Sequence, residues 1–131
     1  MFVDASALAA ILLNEPDGPA LAQALGDAPA NRITSPIAVF EAALAVNKTE
    51  AQGIERAAAV VLRLLQRAGV AIRPVDETCG ALAVSAHARF GKGSGHPARL
   101  NIGDCFAYAM ARQHRMPLLY KGDDFALTDL A

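Results

Sequence analysis

The chain has no tryptophan, only 5% aromatic residues and only two cysteines, Cys79 and Cys105. Two cysteines with no CxxC pair and no Cys/His zinc spacing exclude a disulfide scaffold and a zinc ribbon, and suit free thiols in a reducing compartment. Neither charge sign is in excess: 12 Lys+Arg stand against 13 Asp+Glu, a formal net charge of −1. A protein that coats nucleic acid indiscriminately is usually basic, because phosphate neutralisation dominates that affinity, so any nucleic-acid contact here must be local. Long apolar runs are also missing. The opening stretch lacks a basic start and is interrupted at Asp4 and Asn14, so neither a secretory signal nor a membrane span is expected, and the expected location is the cytoplasm.

What is present is 53% apolar residues, rich in alanine, with 19% charged. A length of 131 residues predicts one domain, spanning 1–131. With so few aromatics, Leu, Ile, Val and Ala must build the core, which favours close-packed helices around a small sheet. Short apolar runs alternate with helical patterns, the signature of an α/β domain with a mainly parallel sheet. Phe2-Val3, Arg32-Ile33-Thr34, Val70-Ala71-Ile72 and Pro117 to Tyr120 read as strands. Helices are expected after a cap at Ser6, over Pro19 to Leu25, after Ser35-Pro36 with Ile37, Phe40, Glu41 and Leu44 on one side, and after Thr49. Two more follow Asp76, ending at Gly91, and Asn101.

Five acidic residues stand at strand ends or helix flanks. Asp4 follows the first strand, and ligands of open parallel sheets sit beyond the carboxyl ends of the strands. Asp104 falls in the first turn after Asn101, where the helix dipole favours the ionised form. Asp123 and Asp124 follow the last strand, and Glu41 lies on a helix beside apolar neighbours. Taken singly, each has an ordinary reading as a cap, a turn residue or a solvated side chain. Converging in one cleft, they would repel one another unless a cation intervened. Hard oxygen ligands select Mg²⁺ or Mn²⁺, and such a site suits in-line attack of water on a phosphodiester.

The motifs around these positions resemble a known family. Met1-Phe2-Val3-Asp4-Ala5-Ser6-Ala7-Leu8, Ser35-Pro36 through Phe40-Glu41-Ala42, Gly91-Lys92-Gly93 with His96-Pro97-Ala98 and Leu100-Asn101-Ile102-Gly103-Asp104-Cys105 through Ala109, and Pro117 through Tyr120-Lys121-Gly122-Asp123-Asp124-Phe125 followed by Thr128-Asp129 are similar to the PIN-domain ribonucleases of the VapC toxin type. The resemblance implies a three-layer α/β/α fold and Mg²⁺-dependent RNA cleavage, with Mn²⁺ as a substitute. It assigns metal binding and catalysis to Asp4, Glu41, Asp104 and Asp124, with Asp123 as the alternative fourth acid, and gives Ser6 the role of orienting Asp4 or a metal-bound water. It further implies a homodimer, a cognate VapB-type antitoxin that blocks the cleft, and operator DNA bound through the antitoxin alone.

From Thr78 to Gly103 there is no acidic residue, while Arg89, Lys92, Arg99, His87 and His96 are present. This local positive bias is expected to hold phosphates beside the acids, with Arg112, His114, Arg115 and Lys121 as further candidates. Two rival readings stand. One is a catalytically weak PIN-like interaction module acting through its partner. The other is a phosphatase or receiver domain with Asp4 as nucleophile, disfavoured because Ser6 stands where a dehalogenase-type phosphatase has a second Asp.

Overall fold

The computed structural model describes residues 1–130. Phe2 and Val3 alternate across the sheet as strand geometry requires, and each is fully buried in a different core. Their strand, β1 (Phe2–Val3), is central to four parallel strands in the order β3-β2-β1-β4, with β2 at Arg32–Thr34, β3 at Val70–Ile72 and β4 at Leu118–Leu119. Four helices, α1 (Ala5–Leu12), α2 (Gly18–Asp27), α3 (Pro36–Glu50) and α4 (Ile54–Arg67), lie on the Val3 side. On the Phe2 side pack α5 (Glu77–Phe90) and α6 (Ile102–Gln113). The expected α/β/α layering is present, and because every strand runs the same way, Asp4 and the residues after β4 emerge at one edge.

Local details depart from the sequence expectations. Asp4, not Ser6, caps α1, its carboxylate accepting the Ser6 backbone N–H. Thr49 lies inside α3, which continues to Glu50, and Gly53 precedes α4 instead. The face of α3 turned inward is Ala38, Ala42, Ala43 and Val46, whereas Phe40 and Leu44 are exposed. Alanines bring the α3 backbone close to its neighbours, which a row of large side chains would hold apart. Gly18 serves the same closeness, since a Cβ there would strike the carbonyl oxygen of Ala10 in α1.

The remaining joints follow the sequence closely. Ser35 Oγ accepts the Ala38 N–H at 3.1 Å and Asp76 Oδ1 accepts that of Cys79 at 2.9 Å, each satisfying a helix-start donor. Arg32 ties the Val3-side layer together by donating to the carbonyls of Gly26, Ala28 and Ala68. Cys79 and Cys105 are free, buried thiols. Among the described residues no helix is long and apolar enough to cross a membrane.

Candidate active site

Asp4 is positioned by three elements at once. Its N–H donates to the carbonyl of Leu119 in β4 at 2.9 Å, fixing its backbone at the sheet edge. Its Oδ2 accepts the Ser6 N–H at 3.0 Å and the Ser6 hydroxyl at 2.6 Å. Ser6 Oγ in turn accepts the Lys121 N–H at 3.0 Å, joining the α1 start to the loop after β4. This relay fixes both the carboxylate and the serine. Nothing in the sequence pattern signals the Lys121 contact, because it depends on two chain ends meeting at the sheet edge.

Asp104 is held by a reciprocal capping box. Asn101 Oδ1 accepts the Asp104 N–H at 2.8 Å, and Asp104 Oδ2 accepts the Asn101 N–H at 3.1 Å. The box engages one carboxylate oxygen and leaves Oδ1 outside it. Glu41 reaches the same place from α3, half-buried, and Asp124 from the turn that follows β4. Together Asp4, Ser6, Glu41, Asn101, Asp104 and Asp124 line a cleft of about 300 Å³. Small neighbours, Ala5, Ala9 and Ala45, leave it open. Asp123, the alternative fourth acid, is exposed and does not line the cleft; its carbonyl accepts the Ala126 N–H. Asn101, expected only as a helix cap, also stands in the cleft wall.

The electrostatics of the cleft oppose three ionised acids. Burial pushes the Glu41 carboxyl up to about 7, helped by the charges of Asp4 and Asp104. Burial also raises Asp104 to about 6, outweighing the Asn101 N–H bond that lowers it, and Asp4 and Asp124 add to the rise. The helix start does favour ionised Asp104, through the Asn101 N–H bond, but burial and the neighbouring acids outweigh it. Asp4 is likewise raised, first by burial, against the lowering bonds from Ser6. Clustered raised carboxyls beside open solvent mark a functional site more often than a structural one.

The family model described as PIN domain matches residues 1–130 of this chain. Ribonuclease VapC28 of Mycobacterium tuberculosis is 43% identical over 128 residues, covering 98% of this chain and 93% of that protein. The chain belongs to the VapC ribonucleases of the PIN-domain family. Similarity of the same kind extends to the VapC ribonuclease R02377 of Rhizobium meliloti, 40% identical over 139 residues with 98% of each chain covered. Among solved structures, the fold matches Mycobacterium tuberculosis VapC20, a sarcin–ricin loop cleaving toxin, with a TM-score of 0.74 at 19% identity, covering 95% of this chain and 92% of that one.

PIN-domain nucleases depend on a divalent metal, and the cleft of this VapC-family chain fits one. Its donors are carboxylate, hydroxyl and amide oxygens, the set chosen by hard cations. Among the described residues no three His, Cys, Asp or Glu side chains close on a single point as direct ligands. That openness suits a cation that keeps several of its waters and takes only one or two carboxylates.

The basic residues divide into two groups. Arg89 and Arg112 pair with Asp129, whose carboxylate also accepts the Tyr108 hydroxyl at 2.8 Å, and Lys121 pairs with Glu15. These charges fasten the chain end and the post-β4 loop. Among the described residues Lys92 and Arg99 enter no ion pair, and both are exposed. His96 is half-buried, its Nδ1 accepting the Ala98 N–H at 3.1 Å and its ring set edge-on to Phe90, so it shapes the loop.

Proposed function

We propose that this chain, as one domain, is the toxin of a type II toxin–antitoxin module and hydrolyses RNA phosphodiesters at the acidic cleft. Asp4, Glu41, Asp104 and Asp124 together form the acidic seat for Mg²⁺, one or two of them as direct ligands and the others through its waters, with Mn²⁺ as a working substitute. The observation that carries this reading is the gathering of these four acids, from four separate segments, into one cleft at the carboxyl edge of a parallel sheet. When bound, the cation neutralises phosphodiester charge and makes water a competent nucleophile. The residues of the chain do the positioning. Ser6 fixes one oxygen of Asp4, the Asn101 N–H fixes one oxygen of Asp104, and Lys92 and Arg99 offer charge to the RNA backbone.

In this reading the chain works in the cytoplasm as a homodimer. A VapB-type antitoxin covers the cleft and carries the contact with operator DNA. The test is cleavage of total cellular RNA by purified, antitoxin-free protein, wild type beside Asp104→Asn, in Mg²⁺, in Mn²⁺ and with chelator. Discrete cuts that require both the metal and Asp104 are expected. Equal cutting by the variant would count decisively against the site, and absence of both cutting and metal uptake would favour an interaction module.

A further inference from the structure

Gly103 occupies the second position of α6, is buried, and directly precedes Asp104. Glycine is among the poorest residues for a helix, so its presence there needs a cause. Backbone conformation is not the cause, because the positive-φ residues are elsewhere and Gly103 is helical. The cause is space. A Cβ built on Gly103 would overlap Oε1, Oε2 and Cδ of Glu41, all closer than 3.0 Å, a separation real Cβ atoms essentially never show.

The other glycines within helices behave differently. Gly26 and Gly80 have nothing within 4 Å of such a Cβ, and at Gly18 the obstacle is backbone, which cannot yield. At Gly103 the nearest atoms are the far end of a flexible side chain. A methyl group there would displace Glu41 and leave the helix standing.

We propose that Gly103 is a positioning residue: its missing side chain is the seat in which the Glu41 carboxylate rests, beside Asp104 and facing Asp4. This rests on the reading of the cleft as a divalent-cation site and adds that Glu41 reaches it only because position 103 is empty. One consequence is a decoupling of stability from function. Alanine is the better helix former, so Gly103→Ala is expected to melt no lower than wild type in chelator while holding the cation poorly.

The test is a cycle of four proteins: wild type, Gly103→Ala, Glu41→Ala and the double variant. Each is titrated with Mn²⁺ alone and followed by electron paramagnetic resonance, with thermal melts alongside. Gly103→Ala is expected to bind Mn²⁺ at least tenfold more weakly than wild type. Once Glu41 is gone the same change should matter less than twofold, because no carboxylate is left to displace. Binding by Gly103→Ala within twofold of wild type overturns the inference alone. An equal loss in both backgrounds, or failure of Gly103→Ala to fold, also overturns it, by making the glycine a structural residue. Wild type that takes up no Mn²⁺ overturns the functional reading and this inference with it.

Discussion

Lowering the pH should strip the cation from this cleft well above the ordinary carboxylate range. A divalent ion binds the ionised forms, whereas the metal-free protein holds Glu41 at about 7 and Asp104 at about 6. With those midpoints, about one molecule in twenty has both groups ionised at pH 6, against about nine in ten at pH 8. From these two groups, affinity for Mg²⁺ should therefore rise about twentyfold over that interval, and their share of the protons released on uptake should be about 1.4 per ion at pH 6 but about 0.1 at pH 8. Titration calorimetry at pH 6, 7 and 8, in two buffers of different ionisation heat, counts those protons directly. Glu41→Gln keeps the side-chain shape and leaves Asp104 alone of this pair to titrate, so the rise should shrink to about twofold.

The same displacement has a signed effect on stability. Both folded-state values lie above those of the unfolded chain, 4.5 for Glu41 and 3.8 for Asp104, so the folded protein holds the extra protons. Stability of the metal-free protein is thus expected to fall as pH rises from about 4 to above 7, by about 1 kcal/mol for each half-buried carboxyl after solvent screening is allowed for. Saturating Mg²⁺ should remove most of that decline. Affinity that stays flat from pH 6 to 8, with no protons released, would refute the electrostatic account of the cleft.

Two further outcomes follow from the relay at Asp4. Asp4→Asn keeps a good helix cap while removing the charge, so it should abolish metal-dependent cleavage yet exceed Asp4→Ala in stability by about 1 kcal/mol in urea unfolding; an Asn variant no more stable than the Ala variant would deny the capping role. Ser6→Ala removes the hydroxyl that bridges the Lys121 N–H and Asp4 Oδ2 and should cost about 1–3 kcal/mol of stability. Its cleavage rate should drop about 10–100-fold, as expected when the partner of a metal-holding group is lost, and single-turnover kinetics at saturating Mg²⁺ would show whether it does.

Much of this architecture is legible in the sequence because its signals are local. Asn101, Asp76 and Ser35-Pro36 announce helix starts at the positions observed. The strands are only two or three residues long, yet their apolar character and the acids after β1 and β4 give both the parallel sheet and the functional edge. Choosing between Asp123 and Asp124 needs the turn geometry after β4, which no spacing encodes.

The misreadings share a physical origin. On α3 large apolar residues suggested an inward face of Phe40 and Leu44, but the face against the core is alanine, selected for close approach and not for the area each side chain buries. The net shift of Asp104 is hidden from the sequence for a related reason: the helix start acts locally, whereas desolvation and the charges of Asp4 and Asp124 come from residues distant in sequence. Small residues govern both outcomes. Alanines draw α3 inward, and an empty position at Gly103 leaves room for the Glu41 carboxylate beside Asp104. A reading that weights residues by what they bury passes over the positions whose role is to leave space, and here those positions bring the acids together.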